Sequence, residues 1–290
     1  MSKEIVPFQF NRDLPKGGGI GIYGASGKGK SSILYELFYQ LRDKITAAFI
    51  VSGTEFQDPF FSKIIPHLCI HDNLNESTEL SLKKFYTIHL TNVKNWKDKR
   101  KGKEPFAIIA FEDVTGSKLL REQNSIIVDL FVKCRHFNTL VILSYQKILT
   151  GLSLGIRENF QCVFAFSFDT KVSNGKILDY LMTIEGINKD QFHDIIHNKI
   201  RKKTEHTCLV KLRQNKKIET HSGTIETDLF YLSTKKIIDI PRFRLLEEKI
   251  WILDTKHYDK DYYENKVKKD SKKLGLDNIW NNDKNIITFK

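Results

Sequence analysis

The sequence has few cysteines, no long apolar run and no recognisable secretory leader. Its 290 residues include four scattered cysteines, and no two of them form a Cys-x-x-Cys pair, so we expect neither a disulfide framework nor a structural zinc site. No window approaches 18 consecutive apolar residues, which argues against a membrane-spanning helix. These absences predict an intracellular protein of a reducing compartment.

Acidic residues are outnumbered by basic ones. The chain carries 47 Lys and Arg against 35 Asp and Glu, a formal net charge of +12. This excess favours a polyanionic partner, with nucleic acid first and an anionic membrane surface second. The hydrophobic content of 40% and charged content of 28% are ordinary for a globular protein, and the length suits one large α/β domain or two small ones.

One glycine-rich stretch has the spacing of a phosphate-binding loop, Gly24-x-x-x-x-Gly29-Lys30-Ser31. Glycines allow several backbone N–H groups to converge on phosphate oxygens, and the helix that follows directs its positive end at the anion. A lysine at this position reaches the β- and γ-phosphates, and the serine hydroxyl can ligate Mg²⁺. The predicted nucleotide-binding residues are Gly24, Ala25, Ser26, Gly27, Lys28, Gly29, Lys30, Ser31 and Ser32.

The sequence around this loop supports the same interpretation. Residues 19–23 form an apolar, strand-like run, and residues 31–42 place apolar side chains on one helical face. A strand before the loop and a helix after it are the context that the motif requires. A competing dinucleotide fingerprint, Gly19-x-Gly21-x-x-Gly24, is disfavoured because its glycines fall inside the strand and not at the strand-to-helix turn.

Two carboxylates follow a second apolar strand. Glu112 and Asp113 come after the run at 106–111, and a nucleotide-hydrolysing site needs one carboxylate for the metal and another to polarise the attacking water. Together with Ser31, they are the predicted metal ligands. Their order, Glu before Asp, leaves open which of them binds the metal and which polarises the water.

A polar residue also ends a neighbouring apolar strand. Gln146 follows the run at 139–144, where it can contact the γ-phosphate or the water that attacks it. A GTPase is disfavoured because no Asn-Lys-x-Asp segment follows a later strand, and no lid arginines or substrate pocket of a small-molecule kinase are recognisable.

Alternating strands and helices define the predicted fold class. Further strands are predicted at 47–52 and 162–168, a helix at 125–137, one or two helices within 176–203, and an edge strand at 206–212. This alternation predicts a mainly parallel central β-sheet flanked by helices, which is an α/β P-loop NTPase core. The core is assigned to residues 1–245, and residues 246–290 are a lysine- and aromatic-rich C-terminal extension.

The ordered motifs resemble a known family. They are GASGKGKSS, the segment at 49–70 with its Ser-Gly-Thr-Glu strand end, IIAFEDV, the segment at 135–146, and the segment at 152–166. Over residues 18–245 this set is similar to the genome-packaging ATPases of large double-stranded DNA viruses and virophages, which belong to the FtsK/HerA superfamily. The family more often has Asp before Glu at the carboxylate strand, and here the order is reversed.

The resemblance implies a DNA-packaging motor. It implies Mg²⁺-dependent ATP hydrolysis, a homo-oligomeric ring of five or six subunits around double-stranded DNA, and docking on viral capsid or portal-vertex proteins. It places the protein at a cytoplasmic viral assembly site or in the virion. An arginine from one subunit would complete the ATP site of the next, and Arg135 and Arg157 are both candidates.

Three basic segments are candidate contacts to DNA phosphates: 94–103, 198–203 and 210–217. His136 is more simply a structural residue than a metal ligand. Two alternative functions remain at this point: a cellular or plasmid FtsK/HerA-like DNA motor, and an ATP-gated DNA-binding or assembly protein with slow hydrolysis.

Overall fold

The computed structural model describes residues 5–245, apart from 56, 101, 115–116, 147–151, 183, 185–186, 203–205, 221–222 and 244. The extension at 246–290 lies outside the described residues, so the domain division at residue 245 stays a prediction. The strands are β1 (Val6–Pro7), β2 (Gly18–Tyr23), β3 (Ala47–Ser52), β4 (Ile70–His71), β5 (Ala107–Glu112), β6 (Thr139–Tyr145), β7 (Phe160–Phe166), β8 (Thr207–Thr220) and β9 (Gly223–Ser233).

Helices connect most of these strands. They are α1 (Phe10–Asp13), α2 (Lys30–Leu41), α3 (Glu76–Lys99), α4 (Ile126–Lys133), α5 (Leu154–Arg157), α6 (Lys171–Tyr180) and α7 (Lys189–His193). Among the described residues there are also short 3₁₀ helices, including Phe61–Lys63 and Cys134–Phe137, and a π-helix over Asp194–Ile200. In this part of the chain, no helix combines the length and apolarity needed to cross a membrane.

The strands form one sheet in the order β1-β9-β8-β7-β2-β6-β5-β3-β4. The pairs from β7 through β4 are all parallel, whereas β8 is antiparallel to both β7 and β9. The predicted α/β class with a mainly parallel sheet is therefore confirmed. The prediction of an edge strand at 206–212 was wrong, because β9 covers the outer side of β8.

Helices cover the two faces of the sheet. On one face, α2 buries Ile33, Leu34, Leu37, Phe38 and Leu41, the stripe that the sequence predicts. On the other face, α3 and α4 pack against the opposite side chains of the central strands. Since both faces are covered, the central parallel strands β2, β5 and β6 are buried along their whole length.

The parallel register brings the ends of three central strands to one edge of the sheet, here called the carboxyl edge. Tyr23 pairs with Tyr145, and Glu112 lies between Ser144 and Ser52. The loops that follow β2, β5 and β6 therefore meet at this edge, where open α/β sheets bind their ligands. The opposite edge, where the same strands begin, is called the amino edge.

One region of the fold differs from the predicted secondary structure, and another carries a candidate DNA-contact segment. The helical region predicted within 176–203 begins earlier, at Lys171, and is divided into α6, α7 and the π-helix. The basic segment at 94–103 continues α3 up to Lys99 before it becomes a loop.

Candidate nucleotide-binding site

The glycine-rich loop joins β2 to α2 at the carboxyl edge. Gly27 and Gly29 have φ angles of +72° and +108°, which glycine adopts without steric cost. A Cβ atom at Gly29 would lie 2.9 Å from the Thr234 hydroxyl, whereas one at Gly27 would meet nothing within 4 Å of it. The loop backbone at Gly29 is thus both left-handed and closely packed against the segment that follows β9.

The amino end of α2 is open to an anion. Gly29 precedes the first helical residue, and no side chain among the described residues caps the free N–H groups there. Unpaired N–H groups and the helix dipole make such an end a binding site for phosphate.

Lys30 begins α2 and its side chain is buried. Its Nζ donates a hydrogen bond to the Ala25 carbonyl, 3.2 Å away, so the lysine lies folded back across the loop. Burial lowers the pKa of Lys30 below its ordinary value, and the carboxylates of Asp113 and Glu112 oppose that shift. The ammonium group therefore lies within electrostatic reach of both acidic residues.

Glu112 is the last residue of β5 and is buried. The Ser52 hydroxyl, from the adjacent strand β3, donates to its Oε2 at 3.0 Å. Burial raises the pKa of Glu112 to about 7, while the Ser52 hydrogen bond and Lys30 act in the other direction. A buried carboxyl group with a raised pKa favours a cation beside it, because a positive charge offsets the cost of desolvating the carboxylate.

Asp113 has a left-handed backbone conformation, with φ of +51°. Gln146 donates from Nε2 to Asp113 Oδ2 at 2.8 Å. The sequence places these two side chains at the ends of separate strands, and the adjacency of β5 and β6 brings them into contact.

These groups line one cavity of ≈ 410 Å³. The predicted residues that line it are Ser26, Gly27, Gly29, Lys30, Ser31, Ser32, Glu112, Asp113 and Gln146. Of the remaining loop residues, Lys28 accepts a hydrogen bond through its carbonyl from His206 Nδ1, 3.3 Å away, and Gly24 is packed against Phe166.

Sequence reasoning missed several residues that line the same cavity. They are Thr54, Gln57, Asp58, His206, Lys235 and Lys236. Thr54 lies in the segment after β3 that the family resemblance already marked. His206 and the two lysines reach the site only because β8 and β9 lie beside β7, a long-range pairing that gives no local signal.

Glu55, in the same segment as Thr54, has a structural role. Its carboxylate accepts hydrogen bonds from three successive backbone N–H groups, those of Phe60, Phe61 and Ser62, at 2.8–3.0 Å. These bonds cap the 3₁₀ helix Phe61–Lys63 and so hold in place the segment that carries Thr54.

Neither candidate trans-acting arginine lines the cavity of its own chain. Arg135 is exposed in the 3₁₀ helix before β6, at the amino edge. Arg157 ends α5, and its guanidinium lies over the Tyr180 ring, 5.4 Å from the centroid. The role of either arginine stays a prediction.

The donor set of the cavity suits a magnesium ion. Mg²⁺ prefers oxygen ligands and is commonly held by one or two carboxylates together with substrate phosphates. Ser31, Glu112 and Asp113 offer a hydroxyl and two carboxylates around the cavity. No group of three or more His, Cys, Asp or Glu side chains forms a metal site anywhere in the described part of the chain. Phosphate oxygens and waters usually complete the coordination of Mg²⁺ at such sites.

Comparison with known proteins gives one family and several viral relatives. Residues 6–218 match the family model described as Poxvirus A32 protein. The chain is 32% identical over 165 residues to uncharacterized protein 075L of Invertebrate iridescent virus 6, covering 56% of the chain and 59% of that protein. It is 26% identical over 146 residues to uncharacterized protein 015R of Frog virus 3, covering 50% and 42%. The chain thus spans about half the length of these relatives.

One solved structure shares the fold, and a second is similar at a lower score. EssC (ATPases 2 and 3) from Geobacillus thermodenitrificans superposes with a TM-score of 0.51 and 12% identity, over 92% of this chain and 46% of that one. The genome packaging NTPase B204 from Sulfolobus turreted icosahedral virus 2, in complex with AMP, gives 0.49 and 13%, over 69% and 94%. The likeness to EssC confirms the predicted P-loop ATPase fold.

Proposed function

The chain belongs to the Poxvirus A32 protein family, a family of viral packaging ATPases, and from that premise we propose that it hydrolyses ATP to drive double-stranded DNA into a preformed viral capsid. One observation carries the proposal. The glycine-rich loop, Lys30, two carboxylates and Gln146 line a single cavity at the carboxyl edge of the sheet. Each group suits one requirement of phosphoryl transfer from a nucleoside triphosphate to water.

The loop and Lys30 bind the phosphates. The N–H groups at the start of α2 and the Lys30 ammonium stabilise the negative charge that spreads over the transferring phosphoryl group. When phosphate enters, Lys30 exchanges its hydrogen bond to the Ala25 carbonyl for one to a phosphate oxygen. Ser31 and Glu112 would hold Mg²⁺, which when bound supplies further positive charge at the phosphates.

We assign the orientation of the attacking water to Asp113. Gln146 holds one of its oxygens at 2.8 Å and leaves the other for water. Glu112 is held by Ser52 at the end of the strand, where it serves the metal. We thus propose Glu112 for the metal and Asp113 for the water, a choice that the sequence left open.

The site is completed by a neighbouring subunit in a ring of five or six copies. An arginine in trans would stabilise charge on the transferring phosphoryl group. Arg135 is exposed, whereas Arg157 is half-buried beside Tyr180. Both remain candidates.

Basic side chains at the amino edge supply a DNA surface. Lys97 donates to the His136 carbonyl at 3.2 Å, which joins the segment at 94–103 to the loop that carries Arg135. Arg213 donates to the Glu158 carbonyl beside the start of β7. Two of the three basic segments and Arg135 therefore lie along one edge, where they can bind phosphates without reading bases.

The third basic segment, 198–203, lies elsewhere. Arg201 bonds to Asp169 at 2.6 Å, in the loop after β7 at the carboxyl edge. It is therefore closer to the nucleotide cavity than to the other two segments. We assign DNA contact to the amino edge only.

Separate measurements of nucleotide binding and turnover test the enzymatic part. Lys30→Ala should lose ATP binding and hydrolysis together. Asp113→Asn should bind ATP and lose turnover by about 100-fold or more, the usual contribution of a positioned base. Lys44→Ala, an exposed lysine in the turn after α2, is the control and should behave as wild type. Undiminished turnover in Lys30→Ala would overturn the assignment.

Dependence on empty capsids tests the packaging part. A packaging motor should protect double-stranded DNA from nuclease only when ATP and empty capsids are both present. ATP-driven DNA movement that is indifferent to capsids would instead favour a cellular or plasmid type of motor.

A further inference from the structure

A second cavity adjoins the nucleotide cavity between α2 and the residues that end β9. It has a volume of ≈ 350 Å³ and shares Ser32 and Lys235 with the first cavity. Phe8, which follows β1, and Phe10, the first residue of α1, form part of its lining. A volume of this size lies within the range of about 300–1,000 Å³ that small-molecule sites occupy.

One helical face connects the two cavities. Ser32, Glu36 and Gln40 are spaced four residues apart on α2, so their side chains lie one above another on the same face. Ser32 lies at the junction of the cavities, and Glu36 and Gln40 line only the second one. A ligand whose phosphates bind the loop therefore has this face directly beside it.

Glu36 has an unsatisfied acceptor in the second cavity. Its side chain is only 8% exposed, and Gln40 Nε2 donates to its Oε1 at 2.6 Å. The other oxygen, Oε2, is buried and has no hydrogen-bond partner among the described residues. Because buried polar atoms in native proteins are nearly always paired, a ligand that brings a donor is the simplest partner for it.

We propose that this cavity holds the nucleobase of ATP and that Glu36 accepts a hydrogen bond from the 6-amino group of adenine. The proposal rests on the proposed function, since it requires the triphosphate to occupy the loop. Phe8 and Phe10 supply apolar surface for the base, and Gln40 fixes the orientation of the Glu36 carboxylate. Glu36 is then a specificity-determining residue, separate from the groups that act on the phosphates.

The chemistry distinguishes adenine from analogues that lack the donor. Purine riboside triphosphate has the same ring and phosphates but no amino group at position 6. With that analogue Oε2 stays unpaired in a buried site, whereas ATP satisfies it. A hydrogen bond to a buried charged group corresponds to about a 10-fold or larger difference in affinity.

The test is equilibrium binding of ATP, purine riboside triphosphate and GTP to the full chain. Wild type should bind ATP about 10-fold or more tightly than purine riboside triphosphate. In Glu36→Met, which keeps the length of the side chain but removes both carboxylate acceptors, this ratio should fall towards 1. Glu226→Met, at an exposed position of β9, is the matched control and should keep the wild-type ratio. Thermal unfolding of both variants checks that they are folded.

Three outcomes would overturn the inference. They are equal affinity of wild type for ATP and purine riboside triphosphate, an unchanged ratio in Glu36→Met, and tighter binding of GTP than of ATP. In each of them the proposed ATPase stands if ATP is still hydrolysed in a Lys30-dependent manner. If no nucleoside triphosphate binds, the proposed function itself fails and this inference fails with it.

Discussion

The contact between Gln146 and Asp113 joins β5 and β6 at the carboxyl edge, where the proposed hydrolysis needs a positioned water. Gln146 Nε2 donates to Asp113 Oδ2 at 2.8 Å, so the amide fixes the direction of the carboxylate. Removal of the amide leaves the acidic group in place but free to rotate. A loss of this kind affects the chemical step more than the binding of the phosphates.

Gln146→Ala is therefore expected to lower kcat for ATP hydrolysis by about 10-fold or more and to leave ATP affinity nearly unchanged. Steady-state kinetics together with equilibrium nucleotide binding separate the two effects. Gln214→Ala, at an exposed position of β8, is the matched control. A rise in the dissociation constant for ATP without a change in kcat would contradict the assigned role.

His89 is a buried titratable residue far in sequence from the nucleotide cavity. It lies on α3 and its Nε2 contacts the Phe137 carbonyl at 2.8 Å, so this nitrogen carries the proton of the neutral ring. Burial lowers the pKa of His89 to about 4, although hydrogen bonds to the backbone oppose the shift. The neutral ring thus helps to hold the loop at the amino edge against α3.

The stability of the protein should fall on acidification in a way that depends on His89. Between the unfolded pKa of about 6.5 and the folded value, the unfolded chain binds more protons, so the free energy of unfolding decreases as pH falls. From pH 7.5 to 5 this linkage amounts to about 2 kcal/mol. In His89→Gln, urea unfolding should show a pH-dependent loss smaller by that amount. Parallel pH profiles for wild type and variant would contradict it.

At the scale of elements, the glycine-rich loop depends on two left-handed glycines that differ in their surroundings. A Cβ atom added at Gly27 would have open space around it, whereas one added at Gly29 would meet the Thr234 hydroxyl. An alanine at position 27 would therefore suffer only backbone strain, and one at position 29 would suffer both strain and a steric conflict.

Gly29→Ala is expected to reduce ATP affinity and to destabilise the fold more than Gly27→Ala does. The strain of a left-handed alanine costs about 1 kcal/mol in either variant, and only Gly29→Ala must also displace Thr234. Thermal unfolding and nucleotide titration of the two variants make the comparison. Equal effects at both positions would show that the contact with Thr234 does not constrain the loop.

The sequence was most informative where its signals are local. The loop, the stripe of α2 and the apolar strands β2, β3, β5 and β6 were all predicted at nearly their observed positions. Strand β9 was not recognised, and β8 was consequently taken for an edge strand. Pairing between distant strands depends on contacts that no short window contains, which is also why the contribution of His206 to the cavity went unpredicted.

Helix α3 was missed for a different reason. Its 24 residues are mostly polar, and its apolar stripe is narrow, with Leu82, Tyr86, Leu90 and Val93 buried. A narrow stripe on a long, exposed helix gives a weak periodic signal. The side-chain contacts of the site, including the one between Gln146 and Asp113, likewise require the order of the strands, which the sequence alone does not specify.

At the scale of the whole molecule, two of the three basic segments lie at the edge of the sheet opposite the nucleotide cavity. The nucleotide cavity is at the carboxyl edge, and the basic residues at the end of α3 and in the loop that carries Arg135 are at the amino edge. If the chain acts as the proposed motor, the state of the nucleotide has to be transmitted along the central strands to the DNA.

Neutralisation of part of the amino edge should weaken DNA binding without regard to sequence. The triple variant Lys99→Gln, Arg100→Gln and Lys103→Gln removes three exposed charges, and the salt dependence of the binding constant should fall by up to about 3 in log–log slope. Fluorescence anisotropy at several salt concentrations measures it. The control removes three exposed lysines from α6 and α7, Lys171, Lys176 and Lys189. An equal loss of slope in the control would contradict a localised DNA surface.

The proposed function requires that double-stranded DNA stimulate ATP turnover by this molecule. The most direct measurement is ATP hydrolysis by the purified full chain, with and without long double-stranded DNA, beside the Lys30→Ala variant. We expect hydrolysis that DNA stimulates and that disappears in Lys30→Ala. ATP binding without turnover, whether or not DNA is present, would contradict it.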